Sequence, residues 1–514
     1  MYQDNKIWIG KAGDKKVYIY PKMANRHGLI AGATGTGKTV TLKVLAESFS
    51  DCGVPVFLAD VKGDLAGMCR PGIKDENLAS RIEKFGLDKE GFDFCSYPTN
   101  FWDVFAQTGL PLRTTISEMG PLLLSRIMDL NDTQTDVLTI IFKIADDEGL
   151  LLIDTKDLRS MLQYVGENAK EYSLKYGNIP TASLGAITRA LVALESEGGE
   201  VFFGEPALNI TDWFTTDNTG KGTIQLLDCR TLINSPTMYA TFLLWMMSEL
   251  FETLPEAGDL DKPRMIFFFD EAHLLFDNAS KTLLDKIEQV VKLIRSKGVG
   301  IYFITQNPKD IPDAVLAQLG NKIQHALRAY TPAEQKAAKA AAQSFRENPA
   351  FKTFDVLTEL GIGEALVSVL DEEGIPTIVE QCKILPPQSQ MGALDDAIRT
   401  QQVNNSLLYV RYSQEQDRDS AYEFLQRKFS EDAANEQKAA QDAAARKQAE
   451  KEAKQAEKAK KRAVKSVASS AAGTIGRELG NTLGSSIGGK FGKKLGGNVG
   501  ASLGRGILST LFKL

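Results

Sequence analysis

The sequence predicts an α/β protein with a parallel sheet, an inserted helical subdomain and a C-terminal tail that is first helical and then glycine-rich. Two observations predict the sheet. Residues 28 to about 68 follow the pattern strand, glycine-rich turn, helix, strand, which is a βαβ unit. Further apolar runs, such as GTIQLLDC, RMIFFFDEAH and GVGIYFITQNP, follow with helical segments between them. This alternation is typical of a doubly wound core.

Composition and charge limit the kinds of protein that this chain can be. The 514 residues are enough for two to four units, since a domain usually has roughly 100 to 200 residues. The net charge of -6 gives no basic signal over the whole chain, so any contact with nucleic acid has to be local. The five cysteines lack CxxC spacing, which argues against a zinc site or a disulfide framework. Because no signal peptide or membrane-spanning run is present, we expect a cytoplasmic protein.

The strongest motif lies between the first core strand, His27 to Ala31, and the helical pattern that follows it. It fits the P-loop pattern G-x-x-x-x-G-K-[ST] and comprises Gly32, Ala33, Thr34, Gly35, Thr36, Gly37, Lys38 and Thr39. In such a loop, backbone N–H groups surround the phosphates at a helix N-terminus. Lys38 supplies a charge to the β and γ phosphates, and the Thr39 hydroxyl is available to Mg²⁺. The motif therefore predicts ATP and Mg²⁺ as cofactors.

Two further apolar strands end in residues that suit hydrolysis. Met265 to Phe269 is followed by Asp270 and Glu271, as expected of a Walker B segment. We expect Asp270 to hold Mg²⁺ and Glu271 to polarise the water that attacks the γ-phosphate. The strand of residues 300–305 ends at Gln306, for which two interpretations stay open. Its amide is either a γ-phosphate sensor or a cap of the following turn.

An arginine finger is an arginine that stabilises the charge on the phosphate during hydrolysis. Candidates are harder to choose, because such a residue often comes from a neighbouring subunit. Arg328 ends a strand-like segment, and Arg295 ends the helix after the Walker B strand. For each, a surface salt bridge is an equally good interpretation. The segment Asp60-Val61-Lys62-Gly63 imitates the D-x-x-G element of GTPases, but no guanine-reading N-K-x-D accompanies it. Asp60 and Asp64 remain candidates for approach to the nucleotide, and capping a helix is the alternative for Asp64.

The chain divides into seven predicted segments. They are an N-terminal β-hairpin (1–27), the first part of the P-loop core (28–110), a helical insertion (111–215), the second part of the core (216–390), a C-terminal helical linker (391–430), a charged alanine-rich helix or coiled coil (431–468), and a basic tail (469–514). In the tail, glycine recurs at every fourth position from Gly476 to Gly504. Such spacing permits close helix packing, while the lysines and arginines argue against a membrane span. A packing or membrane-surface helix and a flexible glycine-rich tail both stay open.

The motifs together resemble a known family. GATGTGKT, ADVKGDL, IFFFDEAH, RSKGVGIYFITQNPKDIP and GEALVSVLDEEGIP are similar to HerA/FtsK-type P-loop ATPases, and in particular to a YjgR-type bacterial branch of HerA-like proteins. The resemblance covers about residues 1 to 390, and the tail lies outside it. It implies a RecA-like core, a ring-shaped homo-hexamer with nucleotide between subunits, double-stranded DNA in the pore, and Arg328 as the finger acting in trans. Archaeal HerA docks a nuclease through an N-terminal β-barrel, but only about 27 residues precede the core here. This difference argues against a nuclease partner.

Three functions remain under consideration. The leading hypothesis is an ATP-driven DNA translocase or helicase, whose sequence-independent phosphate contacts would make DNA binding dependent on salt. A second is a membrane-associated assembly or secretion ATPase that acts on protein, in which the tail of residues 469–514 provides peripheral membrane binding or self-association. A third is a nucleotide-gated scaffold with slow hydrolysis, although Lys38 and Glu271 argue against an inactive site.

Overall fold

The computed structural model describes residues 1–276 and 281–467, without the side chains of residues 282, 283, 286 and 461–467. The chain forms two compact units, and the boundary between them follows Lys428. The first unit, Met1–Lys428, contains the P-loop and all the strands of the described residues. The glycine-repeat tail predicted for residues 469–514 lies outside the described residues.

A single large sheet organises the first unit. Its strands are β1 (Tyr2–Gln3), β2 (Lys6–Ala12), β3 (Lys15–Ile19), β4 (Gly28–Ala31), β5 (Val56–Asp60), β6 (Thr99–Asp103), β7 (Leu110–Pro111), β8 (Ile224–Asp228), β9 (Met265–Phe269), β10 (Val299–Thr305), β11 (Asn321–His325), β12 (Glu364–Ser368) and β13 (Glu380–Ile384). The order across the sheet is β1-β2-β13-β12-β11-β4-β10-β9-β5-β8-β6-β7, and β3 pairs with β2 outside this path.

Helices lie before, between and after these strands. They are α1 (Lys38–Asp51), α2 (Glu76–Phe85), α3 (Ile116–Ile127), α4 (Asp132–Glu148), α5 (Thr155–Glu167), α6 (Ala169–Tyr176), α7 (Thr181–Leu194), α8 (Glu200–Phe202), α9 (Pro236–Thr253), α10 (His273–Phe276), α11 (Lys281–Ile294), α12 (Asp313–Leu316), α13 (Pro332–Gln343), α14 (Thr353–Glu359), α15 (Asp396–Asn405), α16 (Tyr409–Tyr412) and α17 (Ala421–Val467). Among the described residues, no helix combines the length and the apolar character needed to cross a membrane.

The sheet is parallel at its centre and antiparallel at one end. The strands from β11 to β7 in the sheet order are parallel to one another. They are rich in buried apolar residues, as expected when helices cover both faces. β12 and β13 are antiparallel and join the N-terminal hairpin to the core, with Ile384 paired to Gly10. The predicted α/β class with a parallel sheet is therefore confirmed for the centre, and the hairpin extends that sheet.

The helical region between the two halves of the core contains α3 to α8, which run from residue 116 to residue 202. These helices contact one another, as in the pairs α3–α4 and α4–α7, and α3 also contacts α9. The apolar run from Tyr239 to Met247, the longest in the sequence, lies in α9 and is buried in this packing. Helical spacing of the apolar residues is thus explained by helix-to-helix contact within the first unit.

The segment predicted as a linker, residues 391–430, is packed into the first unit as far as Lys428. Arg399 of α15 is only 4% exposed, and its Nη1 lies 2.8 Å from Oδ2 of Asp228. Tyr412 is fully buried, with its ring 5.3 Å from that of Trp102. Most of α15 is exposed, so residues 391–428 contact the core through single buried side chains such as Arg399 and Tyr412, which hydrophobic periodicity does not report.

The charged region is a continuous helix, α17, that begins at Ala421, ten residues before the predicted start. Ala421 and Leu425 are fully buried, so they anchor its first turns in the first unit. From residue 431 to residue 460, by contrast, every side chain is exposed or half-buried. This exposed surface fits a solvated charged helix, while the alternative of a coiled coil with another chain stays a prediction.

His27 immediately precedes β4 and links it to the neighbouring elements. Its Nδ1 accepts a hydrogen bond from the Ile301 amide at 3.0 Å, and Nε2 lies 2.9 Å from the Val291 carbonyl oxygen. The ring is therefore neutral, and burial lowers its pKa to about 4. The strand predicted from His27 begins one residue later, because His27 adopts a positive φ of 56°.

We expect His27 to make the fold sensitive to acid. A neutral ring with a lowered pKa contributes stability that is complete above the usual value of 6.5 and is lost as the pH falls toward 4. At pH 5 this loss is about 2 kcal/mol. Chemical denaturation of the wild type and of His27→Asn at pH 8 and pH 5 measures it, since asparagine tolerates positive φ and does not titrate. An equal loss of stability in both proteins between the two pH values would contradict the assignment.

Candidate functional site

The P-loop lies over the carboxyl ends of the central strands. The Gly32 amide donates to the Thr305 carbonyl of β10 at 3.2 Å, and the Ala33 amide donates to the Ala326 carbonyl, just beyond β11, at 2.8 Å. Gly37 has a φ of 113°, in the left-handed region that favours glycine. It precedes Lys38, the first residue of α1, so the loop leads directly into the helix N-terminus. The loop therefore turns from strand to helix N-terminus, a geometry in which backbone amides can bind an anion.

Lys38 is buried inside this loop. Its Nζ donates to the carbonyl oxygens of Gly32 at 2.7 Å and Ala33 at 3.2 Å. Burial, followed by the nearby charge of Lys62, lowers the pKa of Lys38. A buried cation among backbone carbonyls is suited to exchange these weak neutral partners for phosphate oxygens.

The two acids of the Walker B segment lie at the end of β9, which is flanked by β5 and β10. Asp270 is buried, and its Oδ1 accepts the Glu271 amide at 2.9 Å. Burial raises the pKa of Asp270 to about 6. Glu271 has a φ of 47°, which is uncommon for a residue other than glycine. Such local strain occurs at functional sites, where the surrounding structure maintains it.

Glu271 has partners from two other strands. Oε1 lies 2.6 Å from Nζ of Lys62, which follows β5, and Oε2 accepts from Nε2 of Gln306, which follows β10, at 3.3 Å. His273 Nδ1 lies 3.4 Å from the same Oε2. Burial raises the pKa of Glu271, but the contacts with Lys62 and Gln306 outweigh it, so the net pKa is lowered. The Glu271 side chain is therefore ionised and held in one orientation.

No role was predicted for Lys62 from the sequence, because Lys62 lies in the segment that imitates the GTPase element. The only signal available was a basic residue two positions beyond a buried strand, next to a strand that ends in acids. Asp64, from the same segment, accepts from the Thr39 hydroxyl at 3.3 Å through Oδ2. Asp60 instead accepts the amides of Gly63 and Leu65 and fixes its own loop, while burial raises its pKa to about 7. The segment from Lys62 to Asp64 thus contacts both nucleotide motifs.

The residues present fit a magnesium ion. The Thr39 hydroxyl, Asp270 and Asp64 supply only oxygen donors, and Oδ1 of Asp64 is buried without a hydrogen-bond partner among the described residues. Within those residues, no group of three or more His, Cys, Asp or Glu side chains forms a metal cage. This arrangement suits Mg²⁺, which is usually held by one or two carboxylates together with substrate phosphates and water.

The two arginines lie apart from this cluster. Arg328 is exposed, and its Nη1 and Nη2 donate to the carbonyls of Thr358 and Leu360 at the end of α14, at 2.9 and 3.4 Å. It follows β11, at the same edge of the sheet as the P-loop. Arg295 precedes β10 and therefore lies at the opposite edge. Of the predicted site residues, the structure brings together Lys38, Thr39, Asp270, Glu271 and Gln306, but neither arginine.

Comparison with known proteins identifies relatives that are distant in sequence. Probable helicase MJECL08 of Methanocaldococcus jannaschii is 30% identical over 139 residues, which cover 26% of this chain and 25% of that protein. The DNA double-strand break repair helicase HerA of Saccharolobus solfataricus is 24% identical over 392 residues, or 71% of this chain and 66% of that protein. The aligned residues thus span about a quarter of the first relative and just under two thirds of the second.

A solved structure confirms the predicted RecA-like P-loop fold class. The plasmid coupling protein TrwB, in complex with a non-hydrolysable GTP analogue, superposes with a TM-score of 0.50. The match has 13% identity and covers 76% of this chain and 92% of that chain, so it bears on the fold alone. The family described as "Helicase HerA-like C-terminal" matches residues 6–513, beyond residue 390, where the resemblance was expected to end. The chain therefore belongs to the HerA-like helicase C-terminal family.

Proposed function

We propose that this protein is a Mg²⁺-dependent ATPase that assembles as a homo-hexameric ring and translocates or unwinds double-stranded DNA. The observation that carries the proposal is the convergence of three strand ends on one carboxylate: Glu271 lies against Lys62 and Gln306, beside a P-loop with a buried Lys38. The relatives named as helicases support the choice of DNA as the substrate.

Each residue has a distinct role in the proposed hydrolysis. The P-loop amides and Lys38 would bind the phosphates of ATP, and Thr39, Asp270 and Asp64 would hold Mg²⁺. When bound, the metal ion neutralises the charge that develops on the phosphates. Glu271 orients the attacking water and accepts its proton, because it is ionised and lies next to the metal-binding carboxylate. Gln306 and Lys62 position the Glu271 side chain for this step.

In the proposed ring, an arginine of one subunit reaches the γ-phosphate that its neighbour binds. Arg328 is exposed at the same sheet edge as the P-loop, so we assign it to the γ-phosphate of a neighbouring subunit. Arg295 is the second candidate, at the opposite edge. Since the net charge of the chain is -6, the DNA-binding surface has to be a local cluster of lysines and arginines.

The test measures ATP turnover by the purified full chain, with and without linear duplex DNA, at low and high salt. Stimulation by DNA that high salt suppresses is the expected result, because phosphate contacts release counterions. Turnover that ignores every nucleic acid tested would contradict the DNA part of the proposal and leave the ATPase part standing. Analytical ultracentrifugation in the presence of ATP tests the hexamer separately.

Lys62 provides a prediction about positioning. Replacing Lys62 by methionine keeps most of the side-chain volume and removes the 2.6 Å contact with Glu271. We expect kcat for ATP hydrolysis to fall about tenfold or more while ADP binding is unchanged, since a misplaced base affects chemistry more than binding. Lys62→Arg is expected to restore part of the rate. Equal weakening of ATP and ADP binding with unchanged kcat would instead assign Lys62 to general nucleotide binding.

A further inference from the structure

A cavity of about 170 Å³ lies between the sheet and the helices α12 and α13. On the sheet side, Leu29 of β4 and Lys322 of β11 are partners in the parallel register, so both side chains project from the same face. Pro308, two residues after Gln306, also lines the cavity. The lining, which consists of described residues, includes no residue of the P-loop and none of the cluster around Glu271. The cavity is therefore separate from the candidate nucleotide site.

The size and the walls of the cavity limit the ligand. Small-molecule sites usually have roughly 300 to 1,000 Å³, whereas an apolar cavity of roughly 150 Å³ holds benzene. A space of about 170 Å³ suits one ring or a short branched chain and is too small for a nucleotide. The apolar residues of the walls include Leu29, Pro308, Leu316, Ala337, Ala341 and Phe345. All of these except Leu316 are buried, so the interior favours an apolar group of that size.

Lys322 brings a partly buried positive charge into this space. Its side chain is half-buried, and Nζ donates to the Ser344 carbonyl oxygen at 3.3 Å. An ammonium group has three hydrogens to donate, and within the described part of the chain no carboxylate forms an ion pair with this one. Burial lowers the pKa of Lys322, and no neighbouring charge opposes that shift. The cation is therefore partly desolvated without a counter-ion.

The other charges of the lining cancel. Lys309 and Asp313 are both exposed and are opposite in sign, so the net charge of the lining comes from Lys322. A carboxylate satisfies such a cation through charge-assisted hydrogen bonds, which are stronger than neutral ones. Sulfate or phosphate would place further charged oxygens against the apolar walls, where they lose hydration without gaining a partner. The lining thus selects a ligand with one carboxylate and one apolar end.

We propose that this cavity binds a small carboxylate that carries one ring or a short branched apolar chain. The carboxylate pairs with Lys322, and the apolar group fills the space between Leu29 and α13. Because the cavity lies apart from the P-loop, the inference does not rest on the proposed ATPase activity. It holds or fails independently of that activity.

Titration of the full chain with two probes of nearly equal size tests the site. Benzoate has a carboxylate, benzyl alcohol is neutral, and saturation-transfer NMR gives a Kd for each. We expect the wild type to bind benzoate about tenfold or more tightly than benzyl alcohol, because of the charge-assisted contact with Lys322. In Lys322→Met, the Kd for benzoate should rise about tenfold or more and that for benzyl alcohol should stay within about threefold. Lys322→Arg keeps the cation and should keep the preference for benzoate.

Two variants control for other ways of binding an anion. Lys336→Met removes an exposed lysine of α13 that does not line the cavity, and Lys38→Ala removes the cation of the P-loop. Neither should change the Kd of either probe. A loss of benzoate binding in Lys38→Ala would place the probe in the P-loop and overturn the inference. Equal losses in Lys336→Met and Lys322→Met would show that overall charge alone attracts benzoate, which also overturns it.

A measurement on the wild type locates the probe without any substitution. Acetic anhydride labels accessible lysine amines, and peptide mass spectrometry reports the extent of labelling at each position. We expect benzoate to slow the labelling of Lys322 and to leave that of Lys336 unchanged, since only Lys322 lines the cavity. The inference is overturned if benzoate shows no saturable binding, if the two probes bind equally well, or if benzoate leaves the labelling of Lys322 unchanged.

Discussion

Glu271→Gln is expected to lower the rate of ATP hydrolysis by about 10²- to 10⁴-fold, the usual contribution of a general base. Glutamine has nearly the same shape, so the contact with Gln306 and the buried packing around residue 271 are largely preserved. It cannot accept the proton of the attacking water, and it loses the charge that pairs with Lys62. Binding of ATP should stay within a few-fold of the wild type, because Lys38 and the P-loop amides remain.

Single-turnover hydrolysis and calorimetric ATP binding, measured on the same preparation, separate chemistry from affinity. Glu195→Gln is the matched control, since Glu195 is also buried and paired with a cation, Arg159, but lies in the helical region away from the P-loop. The control should hydrolyse ATP at the wild-type rate. If the Glu271→Gln protein keeps more than a tenth of the wild-type rate of hydrolysis, Glu271 is not the catalytic base.

Arg399→Met is expected to destabilise the first unit by about 3 kcal/mol, at the lower end of the cost of breaking a buried ion pair. Arg399 is nearly fully buried, pairs with Asp228 at the end of β8 and lies with its guanidinium 5.0 Å from the ring centre of Phe101. Methionine fills much of the space but leaves Asp228 buried with Arg230 as its remaining cation. Urea denaturation at neutral pH measures the change in the free energy of unfolding.

A second ion pair from the same C-terminal segment serves as the comparison. Arg411 is about half exposed, at 52% for the side chain, and lies 2.7 Å from Asp212. Exposed pairs usually contribute about 0 to 1 kcal/mol, so Arg411→Met should have a small effect. Equal effects of the two substitutions, or a stable protein after removal of residues 391–428, would show that this segment adds little to the stability of the first unit.

Local sequence determined the nucleotide motifs and most of the core. The P-loop, Asp270, Glu271 and Gln306 were predictable because each follows a buried apolar strand, and parallel strands place their carboxyl ends at one edge of a sheet. The helical character of residues 116–202 followed from the spacing of apolar residues. In these cases the signal is a periodic pattern or a short motif, so neighbouring residues contain all the information needed.

Only the tertiary structure decided which distant side chains meet. Lys62 lies 209 positions before Glu271 in the sequence numbering, and their contact depends on β5 and β9 being neighbours in the sheet. The burial of Arg399 depends on Asp228, Phe101 and α15 converging, which no local pattern indicates. Gly363, just before β12, lies beside the P-loop because β12 pairs with β11, which in turn pairs with β4. These features arise from strand order and charge pairing across the fold, whereas hydrophobic periodicity reports only which face of each element is buried.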